Sequence, residues 1–326
     1  MLFITSRTPL KKSPKSQKNR KLEFDLQNTD VSRYEYFCRR HGANDYTEIM
    51  AENLFAELKG LPDTTQLLFY IHGFNNNPED DVFPRAERLE FRINEAADEQ
   101  LVKVIPIIWP CDDDHALAFA DDYWDDQKAS KLAGMMYARL FGKFDRWRKA
   151  KPQVDIPCLK RINILAHSMG NNVLQHAINE WAQDSGKIMP QWFRNIFMVA
   201  ADVENQTLEP GQIGQYIPDS ARNVAVYFAN DDFAMPASKV ANIKNLILSR
   251  RLGMTGPESM NKISNKVIAV DCDDFNNSID KPKGHSYFIE GGSIVSPCIK
   301  HMTNAIKTGR VEHTNRRHNL AKPAGL

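Results

Sequence analysis

The 326-residue chain reads as an α/β protein with a mostly parallel central sheet flanked by helices on both faces. Two observations predict this. Short runs of β-branched and aromatic residues alternate with longer stretches of helical period, and the runs are apolar throughout rather than alternating, as strands buried on both faces require. Connections of this kind cross over right-handed.

The elements follow in order. Leu67 to Ile71 is a buried strand that stops at Gly73, and Ala86, Leu89, Ile93 and Ala97 form the apolar stripe of the next helix. Val102 to Trp109 is a strand ended by Pro110. Leu132, Met135, Met136, Leu140, Phe144 and Trp147 form a second helical stripe. Ile162 to Leu165 is strand, and Val173, Leu174, Ala177, Ile178 and Trp181 give a third stripe. Ile196 to Ala200, Val224 to Phe228 and Lys266 to Val270 read as strands, with helices around Ser238 to Arg251 and Pro297 to Thr308.

No internal repeat or Gly/Ser linker divides the chain, so residues 1–308 read as one domain. The stretch 309–326, rich in Arg, His, Asn and Pro, reads as a disordered basic tail. Residues 11–21 hold six positive charges and no acid. A solvated loop between an opening strand and the next explains them, and contact with an anionic membrane surface or nucleic acid is the functional alternative.

Composition excludes several classes. Hydrophobic residues make up 42% and the longest apolar runs are strand-length, too short to cross a bilayer. A net charge of +1 argues against a nucleic-acid partner. The five cysteines are scattered without C-x-x-C spacing, which suits reduced thiols, and the start lacks a signal-peptide core; together these give a cytoplasmic expectation. No phosphate-binding glycine pattern or zinc-spaced cluster appears, so no cofactor and no metal are expected.

The chemistry concentrates at Ala166-His167-Ser168-Met169-Gly170, which joins a strand directly to an amphipathic helix. Such an elbow holds its serine in a strained conformation and needs small residues two positions either side, here Ala166 and Gly170. It lifts Ser168 above the carboxyl edge of the sheet, where ligands bind in open α/β folds. The Met169 N–H at the helix start is then one oxyanion donor. The second comes from Tyr70-Ile71-His72-Gly73-Phe74-Asn75, where Gly73 permits a tight turn and Phe74 supplies the N–H. His72 reads as a brace for that loop, and Asn75, Asn76 and Asn77 as helix caps or pocket lining.

A serine nucleophile needs a base and an orienting acid, in the chain order Ser, acid, His. Of nine histidines, His285 lies downstream in a turn-rich loop, Gly284-His285-Ser286-Tyr287, after the last strand. His301 falls in the C-terminal helix and His313 and His318 in the tail, all three read as surface residues. His167 and His176 stand too close to Ser168 in sequence to reach its hydroxyl well; His167 reads as pocket support and His176 as a helix-face residue. The strand Val224 to Phe228 ends in Ala229-Asn230-Asp231-Asp232, making Asp232 the chosen acid and Asp231 its near alternative. Asp202, after the preceding strand, is a third candidate.

These pieces resemble the α/β-hydrolase family of uncharacterised function known as DUF900. The matching segments are Phe3 to Arg7, Ile71 to Asn76, Trp109-Pro110, Tyr123 to Asp126, Leu165 to Asn171, Ala200 to Val203, Tyr227 to Met235 and His285 to Phe288, spread over about residues 1–308. The resemblance implies an α/β-hydrolase fold without a large lid domain and a triad of Ser168, Asp232 and His285. The departures, Asn172 where arginine is common and Ile108 where serine is usual, touch the pocket surroundings. The expected activity is that of a serine hydrolase on a small-molecule ester or other acyl substrate, of carboxylester-hydrolase type. The competing readings are a non-catalytic scaffold of the same fold, or a peripheral lipid hydrolase that uses the basic loop. Segments Cys111–Gln127 and Met254–Asn265 are candidates to roof the pocket.

Overall fold

Strands buried on both faces order the chain into a single eleven-stranded sheet. The computed structural model describes residues 1–10, 17–26, 29–111, 119–232, 250–289 and 295–323. Most of the helix expected around Ser238 to Arg251, the end of the Tyr227 to Met235 segment, half of the basic stretch (Lys11, Lys12, Lys15) and residues 112–118 of one roof candidate lie outside the described residues.

In chain order the strands are β1 (Leu2–Arg7), β2 (Arg20–Leu22), β3 (Val31–Gly42), β4 (Asp45–Glu48), β5 (Gln66–Ile71), β6 (Val102–Ile108), β7 (Ile162–His167), β8 (Phe193–Val199), β9 (Ala221–Phe228), β10 (Val267–Asp271) and β11 (Arg317–Asn319). The longer helices are α1 (Ala51–Lys59), α2 (Phe83–Ala97), α3 (Phe119–Lys149), α4 (Gly170–Asp184) and α5 (Pro297–Thr308). Across the sheet the order is β11-β10-β9-β8-β7-β5-β6-β1-β3-β4-β2. Pairing is parallel from β11 through β1. Among the described strands the β1–β3, β3–β4 and β4–β2 pairs are antiparallel.

Alternate residues of each central strand feed two cores. On one face Ile162, Ile164 and Ala166 of β7 pack with Leu54 and Leu58 of α1, Tyr137 of α3, and Val173 and Ile178 of α4. On the other, Leu165 packs with Leu89 and Ile93 of α2 and Ile299 and Met302 of α5. Burying each such aliphatic side chain contributes about 1.5–3 kcal/mol, which is what fixes the register of a two-sided strand. The helix ends are marked in the sequence: Ser296 accepts the Cys298 N–H at 3.2 Å ahead of Pro297, which opens α5.

The interior is not wholly apolar. Asn163, Asn195 and Asn223 stand at paired positions of β7, β8 and β9. Asn223 donates to Asn195 and Asn195 to Asn163, each at 2.8 Å. Each amide satisfies its neighbour, so the ladder crosses the sheet without leaving a bare polar group there.

The order of β5, β6 and β7 positions the site. The chain passes from β5 to β6 on one side, while β7 lies on the other side of β5. Such a reversal opens a crevice at the carboxyl ends of the strands. The loop after β5 and the turn after β7 both end there.

Two expectations are corrected. The stretch from Gly309 is not disordered over residues 310–323: β11 pairs with β10, matching Ala269 with Arg317 and Asp271 with Asn319. Arg316 donates to the carbonyls of Met260 and Ser264 at 2.9 and 2.8 Å, so backbone pairing and guanidinium hydrogen bonds order a segment with little apolar surface. His301 is buried, held between the Tyr227 hydroxyl and the Glu312 carbonyl at 2.8 Å each, because the tail returns over α5. The antiparallel strands β3 and β4, in a stretch where the sequence reading assigned no element, extend the mostly parallel sheet at one edge.

Of the basic stretch, Arg20 pairs with Glu48 and Lys21 with Asp45, so part of its charge is spent inside the molecule. The segment Met254–Asn265 packs on Phe228, Asn205 and the tail. No helix among the described residues is long and apolar enough to cross a membrane.

Deleting residues 310–326 removes β11 and the Arg316 hydrogen bonds, each worth about 1 kcal/mol. The expected outcome is a melting temperature lower by about 5 °C or more in a thermal unfolding scan. An unchanged melting temperature would show that the tail is only draped on the sheet.

Candidate active site

β7 runs straight into α4 through Ser168, whose φ of 52° is left-handed for a residue with a side chain. That conformation costs about 1–3 kcal/mol and persists only where the surroundings over-determine it. Here they do. The Ser168 N–H donates to the Val199 carbonyl at 3.0 Å, and the Ser168 carbonyl accepts from the N–H groups of Asn171 and Asp202 at 3.1 and 3.2 Å. The Asn171 side-chain amide donates to the carbonyls of Ala166 at 2.9 Å and Ser168 at 3.1 Å. Fully buried Asn171 therefore ties the last turn of β7 to the first of α4; it is a functional support that sequence reasoning missed.

The turn also explains the small residues. A Cβ on Gly170 would lie 2.5 Å from the His72 carbonyl oxygen and 2.6 Å from that of Ile71, so only glycine lets α4 start against the end of β5. The loop after β5 then touches the serine. A Cβ on Gly73 would stand 3.0 Å from Ser168 Cβ and 3.2 Å from His167 Nδ1. Phe74 follows at this contact, and Met169 is the N-cap of α4, where backbone N–H groups have no intrahelical acceptor.

His72 does not face the serine hydroxyl; it braces the loop. Its Nδ1–H donates to the Gly73 carbonyl at 2.9 Å and its Nε2 accepts the Trp109 N–H at 3.2 Å, which together assign a neutral ring. Trp109 stacks on it at 5.2 Å and returns an indole hydrogen bond to the His72 carbonyl. Burial drives the His72 pKa from 6.5 down to about 3. Asn75 takes a left-handed φ of 54° at the turn, Asn76 accepts from Arg85 at 2.7 Å, and Asn77 caps the following helical turn by accepting the Glu79 N–H.

Asp232 and His285 come together from separate elements. Asp232, after β9, lies with its side chain fully buried, and its Oδ2 is 2.7 Å from His285 Nδ1. The other two carboxylates are engaged elsewhere. Asp231 accepts from the side chains of Asn276 and Asn277, and Asp202 faces Arg251 at 3.2 Å. The His285 loop has its own anchor: one oxygen of Asp280 accepts the N–H groups of His285 and Ser286 at 2.7 and 2.6 Å. Nothing in the sequence distinguished Asp280 from other turn aspartates.

The His285 ring lies 4.7 Å from the ring of His167, the residue before Ser168, so His285 sits over the elbow. Among the described residues no hydrogen bond joins the Ser168 hydroxyl directly to His285. His176, on α4, is turned toward α3 at Gly134, and burial lowers its pKa to about 4. Ser168 and His285 keep slight exposure, 7% for the residue and 15% for the side chain respectively, as a reachable site requires.

A polar groove of about 510 Å³ opens beside the elbow, lined among others by Gln127, Asn172, Gln175, His176, Asp202 and Arg251. An apolar cavity of about 40 Å³ near Leu67, Ile162 and Phe193 lies at the amino ends of the strands, a strand length from the chemistry. Among the described residues no group of three or more His, Cys, Asp or Glu side chains converges as a metal ion would require.

Buried neutral histidines make stability pH-dependent. The folded pKa of His72 is depressed, so below 6.5 the unfolded chain takes up a proton that the folded chain refuses. Stability is therefore lost as pH falls from 6.5 toward 3, by about 1.4 kcal/mol per unit for this residue. Urea unfolding of His72→Gln should show a loss between pH 7 and pH 4.5 that is smaller than the wild-type loss by about 2–3 kcal/mol. Equal losses in the two proteins would contradict a neutral, buried His72.

Neither the comparison with curated proteins nor that with solved structures returned a match. The family described as "Alpha/beta hydrolase of unknown function (DUF900)" matches residues 48–303, a span that holds the elbow, the loop after β5, Asp232 and His285. The parallel sheet, the strand-to-helix turn at its carboxyl edge and this match agree, and the chain belongs to the DUF900 family of α/β-hydrolases.

Proposed function

We propose that this α/β-hydrolase is a serine hydrolase that cleaves an ester or other small acyl substrate through an acyl-enzyme. The observation that carries the reading is the 2.7 Å contact between buried Asp232 and His285 Nδ1, placed over the Ser168 elbow. Asp232 fixes His285 with its proton on Nδ1, leaving Nε2 as the base. His285 takes the Ser168 proton as the hydroxyl attacks the carbonyl carbon. The N–H groups of Met169 and Phe74 receive the charge on the oxyanion, each donor being worth about 2.7–4 kcal/mol. His285 then protonates the leaving alcohol; next it takes a proton from a water that attacks the acyl carbon, and passes that proton to Ser168 Oγ as the acid leaves. The step needs no group beyond the chain and water.

The basic stretch is not required for the reading, since Arg20 and Lys21 are paired with Glu48 and Asp45.

A fluorophosphonate probe should label the wild-type protein and leave Ser168→Ala unlabelled. Asp232→Asn should label slower by about 10³-fold, because the wrong imidazole tautomer is then favoured. Asp231→Asn should label within about threefold of wild type, since that carboxylate holds the Asn276–Asn277 turn. Equal labelling of wild type and Ser168→Ala would remove the serine-hydrolase reading.

A further inference from the structure

His167 closes β7 on the face that Leu165 shares, the face over which the His285 loop passes. A leucine or phenylalanine would fill such a position at less cost. His167 is 3% exposed, its Nε2 lies 3.4 Å from the His285 carbonyl oxygen, and its Nδ1 is buried with no hydrogen-bond partner. Leaving a polar ring nitrogen bare in a close-packed interior is destabilising, so the imidazole is retained for something other than packing.

Its surroundings say what. The ring touches two parts of the site that belong to different loops. On one side lie the His285 ring at 4.7 Å and the Phe288 ring at 4.8 Å. On the other lies Gly73, one residue before the Phe74 N–H, where an added Cβ would stand 3.2 Å from Nδ1. The hydrogen bond to a carbonyl requires a proton on Nε2, and the bare Nδ1 then carries the lone pair of a neutral ring.

We propose that His167 is a positioning residue: as a neutral imidazole wedged between the His285 loop and the Gly73–Phe74 loop, it holds His285 in line with Asp232 and Ser168. The proposal rests on the serine-hydrolase reading for its purpose, though not for its geometry. A neutral wedge is needed because a second cation beside His285 would repel the imidazolium formed during attack. Burial is what keeps it neutral, and the Arg85 guanidinium acts in the same direction. The charged neighbours of His285 are Asp232 at Nδ1 and Asp280 at its backbone N–H. If the wedge is lost the His285 loop gains freedom, the Asp232 contact loosens, and the imidazolium loses part of its stabilisation.

The test combines imidazole NMR titration of His285 with the pH profile of fluorophosphonate labelling, in the full chain. His167→Phe keeps ring volume without a donor, His167→Leu is a smaller apolar alternative, and His167→Gln restores a donor near the Nε2 position. In the phenylalanine or leucine variant the His285 midpoint should move to lower pH by about half a unit or more, with labelling slowed about tenfold. In His167→Gln the midpoint should return to within about 0.2 units of wild type and the rate to within about threefold. A His285 midpoint unmoved in the apolar variants, or a glutamine variant as impaired as they are, would overturn the positioning role. Absence of labelling in the wild type would instead overturn the serine-hydrolase reading, and the His285 titration would still decide the role of His167.

Discussion

The left-handed backbone at Ser168 is the constraint on which the rest of the site depends. A side chain at φ 52° is unfavourable in isolation, and the turn exists because hydrogen bonds and close packing leave no alternative. Val199, Asn171 and Asp202 hold the backbone of Ser168, while Gly170 presses the start of α4 against the carbonyls of Ile71 and His72. The strain and the placement of the hydroxyl are therefore one event. Relaxing the turn would withdraw Ser168 from the crevice.

Around that fixed point the other groups arrive on separate loops, each with its own anchor. Burial keeps His72 neutral, while stacking on Trp109 and two opposed hydrogen bonds hold the Gly73–Phe74 turn in place. Asp280 gathers the two amides at the start of the His285 segment, and Asp231 ties down the asparagines beneath it. Asp232 is the aspartate turned inward to the imidazole. Adjacent aspartates thus do different work because one faces the core and the other the rim.

Much of this was legible from residue order. Unbroken apolar runs such as Leu67 to Ile71 are strands because only a strand buried on both faces tolerates them, and the 3.6-residue stripes locate α2 and α4. The elbow was legible because Ala166 and Gly170 bracket a serine at a strand-to-helix junction. The pairing of Asp232 with His285 was less so: from the residues, Asp231 and Asp202 stood beside it, and only the fold distinguishes their directions. Order that arises from backbone pairing rather than apolar burial was hidden. This is why β11 looked like a disordered tail and why the Asn163–Asn195–Asn223 ladder went unmarked. Asn171 and Asp280 were hidden for a related reason, since their work is to satisfy carbonyl and amide groups brought close by the tertiary fold.

The most direct test of the central claim is a crystal structure of the protein after reaction with a phosphonate ester. The account predicts phosphorus bonded to Ser168 Oγ, a phosphoryl oxygen accepting from the N–H groups of Met169 and Phe74, and His285 still held by Asp232. A phosphonate attached to another side chain, or bonded to Ser168 with its oxygen turned away from both amides, would contradict it.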